Sequence, residues 1–168
     1  DPDNRRPVDW GQRRRLLDEV TAAVAGGNLA DVARGLWQDG RDAVLKLYVT
    51  RQSLHLRRER ASLFTTGDYV ALEARGPLAE HLCAFARHGG DAVALTVVPR
   101  LLARRGIVDP VGEPGWGATA VVLPAALAGR YRDAFTGLTV EAVASPDGPT
   151  LPLARAFGIL PLALLERA

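Results

Sequence analysis

Apolar residues in the first third of the chain recur every three to four positions, and beyond Tyr69 they recur every two. A helix repeats at about 3.6 residues and a strand at two, so this change of period divides the chain into a helical part and a β part. Asp9 stands where an N-cap belongs, with Gln12 at the third helical position, a capping-box-like start. Leu16, Val20 and Val24 then share one face with Leu17 beside them, and Gly26-Gly27 stops the helix. Asn28 followed by Asp31 opens a second helix, Leu29 to about Gln38. A third is expected from about Arg41 to Arg60. Its apolar residues (Val44, Leu45, Leu47, Tyr48, Val49, Leu54, Leu56) cover more than one stripe. A helix apolar this far round packs on two sides, which places it as a wedge between two structural units.

The β part opens with alternation over Tyr69 to Arg75, closed by Gly76-Pro77, and resumes over Glu80 to Arg87. His88-Gly89-Gly90-Asp91 reads as a hairpin turn into Ala92 to Val98, a continuous apolar run suited to a central strand. Further strands are expected near Thr119 to Leu123, Tyr131 to Phe135, Leu138 to Val143 and Leu160 to Leu165, with turns such as Ser145-Pro146-Asp147-Gly148 between them. Short strands with hairpin signals describe an antiparallel sandwich of roughly 100 residues. The expected class is therefore α+β, helices first.

Composition narrows the function. The hydrophobic fraction of 48% is that of a globular chain, and no apolar run reaches the ~20 residues that cross a bilayer. Lys46 is the only lysine beside twenty arginines, yet the net charge is only +2 because Asp and Glu are interspersed. That is a solvated surface, so neither a nucleic-acid nor a membrane partner is expected. A single cysteine, Cys83, excludes an internal disulfide framework and fits a reducing, cytoplasmic setting. The chain has no methionine and opens inside a polar turn, Asp1-Pro2-Asp3-Asn4; the expectation is a piece cut from something longer.

The densest polar cluster is Asp1-Pro2-Asp3-Asn4-Arg5-Arg6-Pro7-Val8-Asp9. Two prolines fix the backbone on either side of Asp3, Asn4, Arg5 and Arg6. A rigid loop presenting a carboxylate, an amide and two guanidinium forks suits the hydroxyls of a sugar; a solvated connection with a surface ion pair is the plainer reading. Elsewhere the chemistry is sparse. His55, His81 and His88 fit no metal-ligand spacing, Cys83 reads as an inert buried thiol, and no phosphate loop or nucleophile elbow is present. Phe64, Tyr69, Phe85 and Phe135 read as core. Trp116, in the Gly-rich stretch Gly112 to Gly117, is the one aromatic expected to offer a sugar a stacking platform.

The Asp1–Asp9 loop resembles the loop after the last barrel strand in maltooligosyltrehalose synthases, members of the α-amylase family of glycoside hydrolases. Asp39-Gly40-Arg41, Lys46-Leu47-Tyr48-Val49-Thr50, Leu56-Arg57-Arg58-Glu59-Arg60 and Leu63-Phe64 are similar to that family's final barrel helix and exit. Val97-Val98-Pro99-Arg100-Leu101-Leu102, Trp116-Gly117 and Leu123-Pro124 are similar to its C-terminal domain. The resemblance implies that residues 1–64 close a (β/α)8 barrel and that 65–168 form a C-terminal β-sandwich domain. The loop would then lie at the catalytic face, with Asp3, Asn4, Arg5 and Arg6 on the substrate and Lys46 near it. It also implies a maltooligosaccharide substrate, an upstream barrel as partner, no cofactor, and conversion of a reducing-end α-1,4 linkage to an α,α-1,1 linkage. The family's nucleophile and acid carboxylates come from earlier strands, so no catalytic residue is expected in this chain. A different α-amylase-family hydrolase or transglucosylase, or a non-catalytic carbohydrate-binding β domain, remain the alternatives.

Overall fold

A carboxylate starts the first helix. Asp9 accepts the backbone N–H of Gln12 through Oδ1 at 2.8 Å, satisfying one of the orphan donors of helix α1, Trp10–Gly26. The computed structural model describes residues 7–106, 109–146 and 148–168, without the side chains of Arg104 and Arg105. The Asp1–Arg6 segment therefore lies outside the described residues, as does Asp147 of the expected Ser-Pro-Asp-Gly turn. Helix α2, Leu29–Gln38, is capped by Asn28, which accepts the Ala30 N–H at 2.8 Å. Helix α3 spans Asp42–Glu59, and a short α4, Ala61–Thr66, follows it. The Arg41 guanidinium grips Glu19 with two hydrogen bonds, at 2.5 and 3.1 Å. It ties the start of α3 to the middle of α1. Val24, further along α1, lines a cleft with Arg51 and His55 of α3.

The helices do not close a core of their own. Val20, Ala30, Ala33, Val44, Tyr48 and Leu56 are buried together with Phe135, Ile159, Leu160 and Leu164 from the second half of the chain. Tyr48 is fully buried and its hydroxyl donates to the Phe135 carbonyl; Gln52 Nε2 donates to the Ala134 carbonyl at 3.2 Å. A buried aromatic with its polar tip satisfied contributes packing without a desolvation loss. Arg60 pairs with Glu166 at the far end of α3.

The second half holds β1 Asp68–Leu72, β2 Ala74–Arg75, β3 Leu82–Gly89, β4 Ala92–Pro99, β5 Ala120–Val122, β6 Arg130–Asp133, β7 Thr139–Glu141, β8 Thr150–Pro152 and β9 Ala163–Arg167. All pairings are antiparallel. The larger sheet runs β1-β3-β4-β9-β6-β7 and the smaller β2-β5-β8. The expected hairpin joins β3 to β4 through Gly90-Asp91, where Gly90 takes φ +58°, a conformation that side chains disfavour. Alternation along β3 and β4 sends Ala84, Ala86, Val93, Leu95 and Val97 into one core with Val121 of β5 and Leu151 of β8.

The fold is thus α+β with antiparallel sheets, but its two layers are unequal. Short helices α5, Gly112–Trp116, and α6, Leu153–Ala156, complete the side that the three-stranded sheet leaves open, with Trp116 and Phe157 packed edge to face. The last strand starts later than the expected Leu160, because Pro161 has no N–H to give a ladder and pairing begins at Ala163. Leu160 is buried nonetheless. Strand β8 and helix α6 had no expected counterpart. At Gly67, where α4 meets the end of the β3–β4 hairpin, an added Cβ would stand 2.5 Å from the Leu63 carbonyl oxygen and 2.9 Å from that of His88.

Candidate functional site

Of the five residues expected to touch a sugar, four (Asp3, Asn4, Arg5, Arg6) lie outside the described residues. From Pro7 onward the chain is exposed: Val8 and Trp10 keep 45% and 75% of their surface. Lys46 is exposed on α3. At 100° per residue it lies almost opposite Tyr48, on a face shared with Thr50, Ser53 and Arg57. The Thr50 hydroxyl donates to the Lys46 carbonyl at 2.8 Å.

Two apolar grooves flank that outward face. Leu17 and Thr21 of α1 face Leu47, Thr50 and Leu54 of α3 across the first. Val49 and Leu54 of α3 face Phe64 of α4, Val98 of β4 and Leu162 across the second. Leu54 lines both and is 57% exposed. This is the second apolar side that the breadth of the α3 pattern anticipated.

A third cavity, polar, lies at the joint of helices and sheet, where Arg51, His55 and Glu59 of α3 face Arg132, Asp133 and Glu166. Asp133 is 3% exposed. Its carboxylate accepts the N–H groups of Phe135 and Leu164, each at 3.3 Å, and the Thr136 hydroxyl at 2.7 Å. Burial pushes its pKa up from 3.8 to about 6, and those hydrogen bonds only partly offset the desolvation. Burial, with the Asp133 charge nearby, also raises Tyr48, to about 12. Asp133 holds the turn whose carbonyls receive Tyr48 and Gln52, and Glu166 is bound to Arg60. Two of the three carboxylates here are engaged in structure. Nothing in the strand pattern marks Asp133 as buried; its one sequence signal is an Asp followed two residues later by a turn, the Asx arrangement.

Several expectations are corrected. Trp116 is no platform: it is 1% exposed and its indole N–H donates to the Pro110 carbonyl at 2.8 Å. Tyr69 is not core but 60% exposed, its ring stacked on Phe85 at 5.1 Å. Cys83, expected to be buried, is exposed. The errors at Tyr69 and Cys83 share a cause: alternation places a residue on a face but does not say which face is covered. His81 is buried, its Nδ1 3.3 Å from the Arg100 carbonyl and its Nε2 3.3 Å from Glu80. Among the described residues no three His, Cys, Asp or Glu side chains are grouped to hold a metal ion, and no helix is long and apolar enough to cross a membrane.

No protein-family model matches the chain. Two proteins from strains of Mycobacterium tuberculosis, each named as a maltooligosyl trehalose synthase, are 34% identical to it over 167 residues, 99% of this chain. The match spans only 16% of their length. The solved structure of maltooligosyltrehalose synthase from Arthrobacter ramosus, and that of a point mutant of it, superpose with TM-scores of 0.62 and 0.65 at 31% identity. They cover 100% of this chain and 18% of the synthase. Sequence and fold agree without depending on any single motif: the chain is a relative of the maltooligosyltrehalose synthases along its whole length and corresponds to about a sixth of theirs.

Proposed function

We propose that this chain is the C-terminal part of a cytoplasmic maltooligosyltrehalose synthase, the closing helices of a (β/α)8 barrel with the β domain that supports it. The observation that carries the reading is the end-to-end match at 34% identity to proteins about six times longer. In the whole enzyme the reaction moves the reducing-end glucose of a maltooligosaccharide from an α-1,4 to an α,α-1,1 linkage. A carboxylate outside this chain forms the glycosyl-enzyme intermediate, and the released glucose returns through its own anomeric hydroxyl. For return to outrun hydrolysis, that glucose must be held in place and water kept out.

The role of this chain in that step is to hold. Asp3, Asn4, Arg5 and Arg6, between Pro2 and Pro7, form one wall of the clamp, with fixed hydrogen-bond donors and an acceptor for sugar hydroxyls. Lys46 adds a compact cation from the outward face of α3. By itself the chain turns nothing over. The test is product analysis of the longer protein with Arg5→Ala or Arg6→Ala: free glucose should rise relative to trehalose-ended oligomers. An unchanged product ratio would remove the loop from the clamp.

A further inference from the structure

The three tryptophans meet three different surroundings. Trp10 is 75% exposed at the start of α1, and Trp116 is 1% exposed in the β core. Trp37 alone is half-buried, and it lines an open cleft between α2 and two loops of the β half. Arg34, Trp37 and Gln38 share one face of α2 at the three- and four-residue spacing of a helix. Asp109, Gly158 and Ile159 belong to the other wall. That wall is held in place: the Trp116 indole N–H donates to the carbonyl of Pro110, next to Asp109, at 2.8 Å, and the Gly112 N–H donates to the Phe157 carbonyl at 2.9 Å. The cleft encloses about 480 Å³, within the roughly 300–1,000 Å³ of small-molecule sites.

A half-buried indole offers a ring ligand a flat apolar face at little entropic cost. Around it stand a carboxylate, an amide and a guanidinium, which between them donate to and accept from hydroxyls. Gln38 and Asp109 are exposed. Arg34 gives an N–H to Asp31 at 2.7 Å, which leaves the rest of its fork to a ligand. Charge selects among ligands. Asp31 already balances Arg34, so Asp109 leaves the cleft negative and opposes a phosphate or a carboxylate. What fits is a neutral ring with an apolar face and several hydroxyls. We propose that this cleft is a subsite for one pyranose unit, stacked on Trp37 and held through its hydroxyls by Asp109, Gln38 and Arg34. The pyranose class rests on the cleft alone; its identification as a glucose of a maltooligosaccharide rests on the function proposed above. The platform expected at Trp116 thus stands at Trp37, and Trp116 serves it by holding Pro110.

The test titrates the 168-residue chain with maltotriose, up to about 50 mM so that a millimolar site fills. Tryptophan fluorescence should change along a saturating curve, with matching heat in calorimetry. Asp109→Ala, at an exposed position, should leave the thermal midpoint within about a degree. It should raise Kd about tenfold, the share of one charge-assisted hydrogen bond. Trp37→Ala should abolish binding; because Trp37 also packs on the helical core, Asp109→Ala decides where that variant does not fold. Trp10→Phe should bind as wild type. No saturable binding, or a Kd that Asp109→Ala leaves unchanged, overturns the subsite. So does loss of binding in Trp10→Phe with binding kept in Trp37→Ala, or tighter binding of glucose 1-phosphate than of maltotriose. Product analysis is independent: a longer protein that makes no trehalose-ended oligomers refutes the function, while the Asp109→Ala comparison still decides the subsite.

Discussion

Asp133 should make this protein more stable in acid, the reverse of ordinary carboxylate behaviour. Its carboxyl is 3% exposed and burial raises its pKa from 3.8 to about 6. Because the folded state binds this proton more tightly than the unfolded chain, the contribution is fully present below the unfolded value. It is lost as pH rises through the folded one. The displacement from 3.8 to about 6, at roughly 1.4 kcal/mol per pH unit, amounts to about 3 kcal/mol. The perturbation is Asp133→Asn, which keeps the shape and removes the titration. Urea unfolding of wild type and variant between pH 4 and pH 8 gives two stability curves, and their difference cancels groups remote from the cleft that holds Asp133. Whatever fixed cost the amide carries, wild-type stability minus variant stability should fall by about 2.5 kcal/mol between pH 4 and pH 8, most of it below pH 6.5. A flat difference, or one that rises with pH, would refute the burial argument.

Tyr48→Phe removes the donor to the Phe135 carbonyl, a group of a residue 2% exposed, and should cost about 1–3 kcal/mol in urea unfolding. Gly67→Ala forces a Cβ against two carbonyl oxygens and should destabilise by about 1–3 kcal/mol. Gly35→Ala, inside α2 with nothing within 4 Å of the new methyl, should stabilise by up to about 1 kcal/mol; equal effects at the two glycines would refute the close approach of α4 to the hairpin.

The helical half was legible because its signals are local. Asp9 and Asn28 cap the helices they precede, and the 3.6-residue period ran on to the ends of α1, α2 and α3. Strand positions were legible for the same reason, down to the Gly90-Asp91 turn. Strands β5 and β8 are three residues each, too short for a period to show, and β8 was missed. Of the candidate site, the polar loop and Lys46 came from residue chemistry and resemblance; the buried carboxylate of Asp133 did not.

What the sequence by itself determined is the order of elements, their periods and the relationship to the synthases, since these are properties of neighbours along the chain. Which faces are covered was decided only in three dimensions. Trp116 went inside and Tyr69 outside because α5 and α6 close one side of the β core, while the outer face of β1 and β3 is left open around Tyr69. Leu54 is exposed and Tyr48 buried on one helix because only one side of α3 meets the sheet. Burial depends on partners distant in sequence, and periodicity carries no information about which of two faces they will choose.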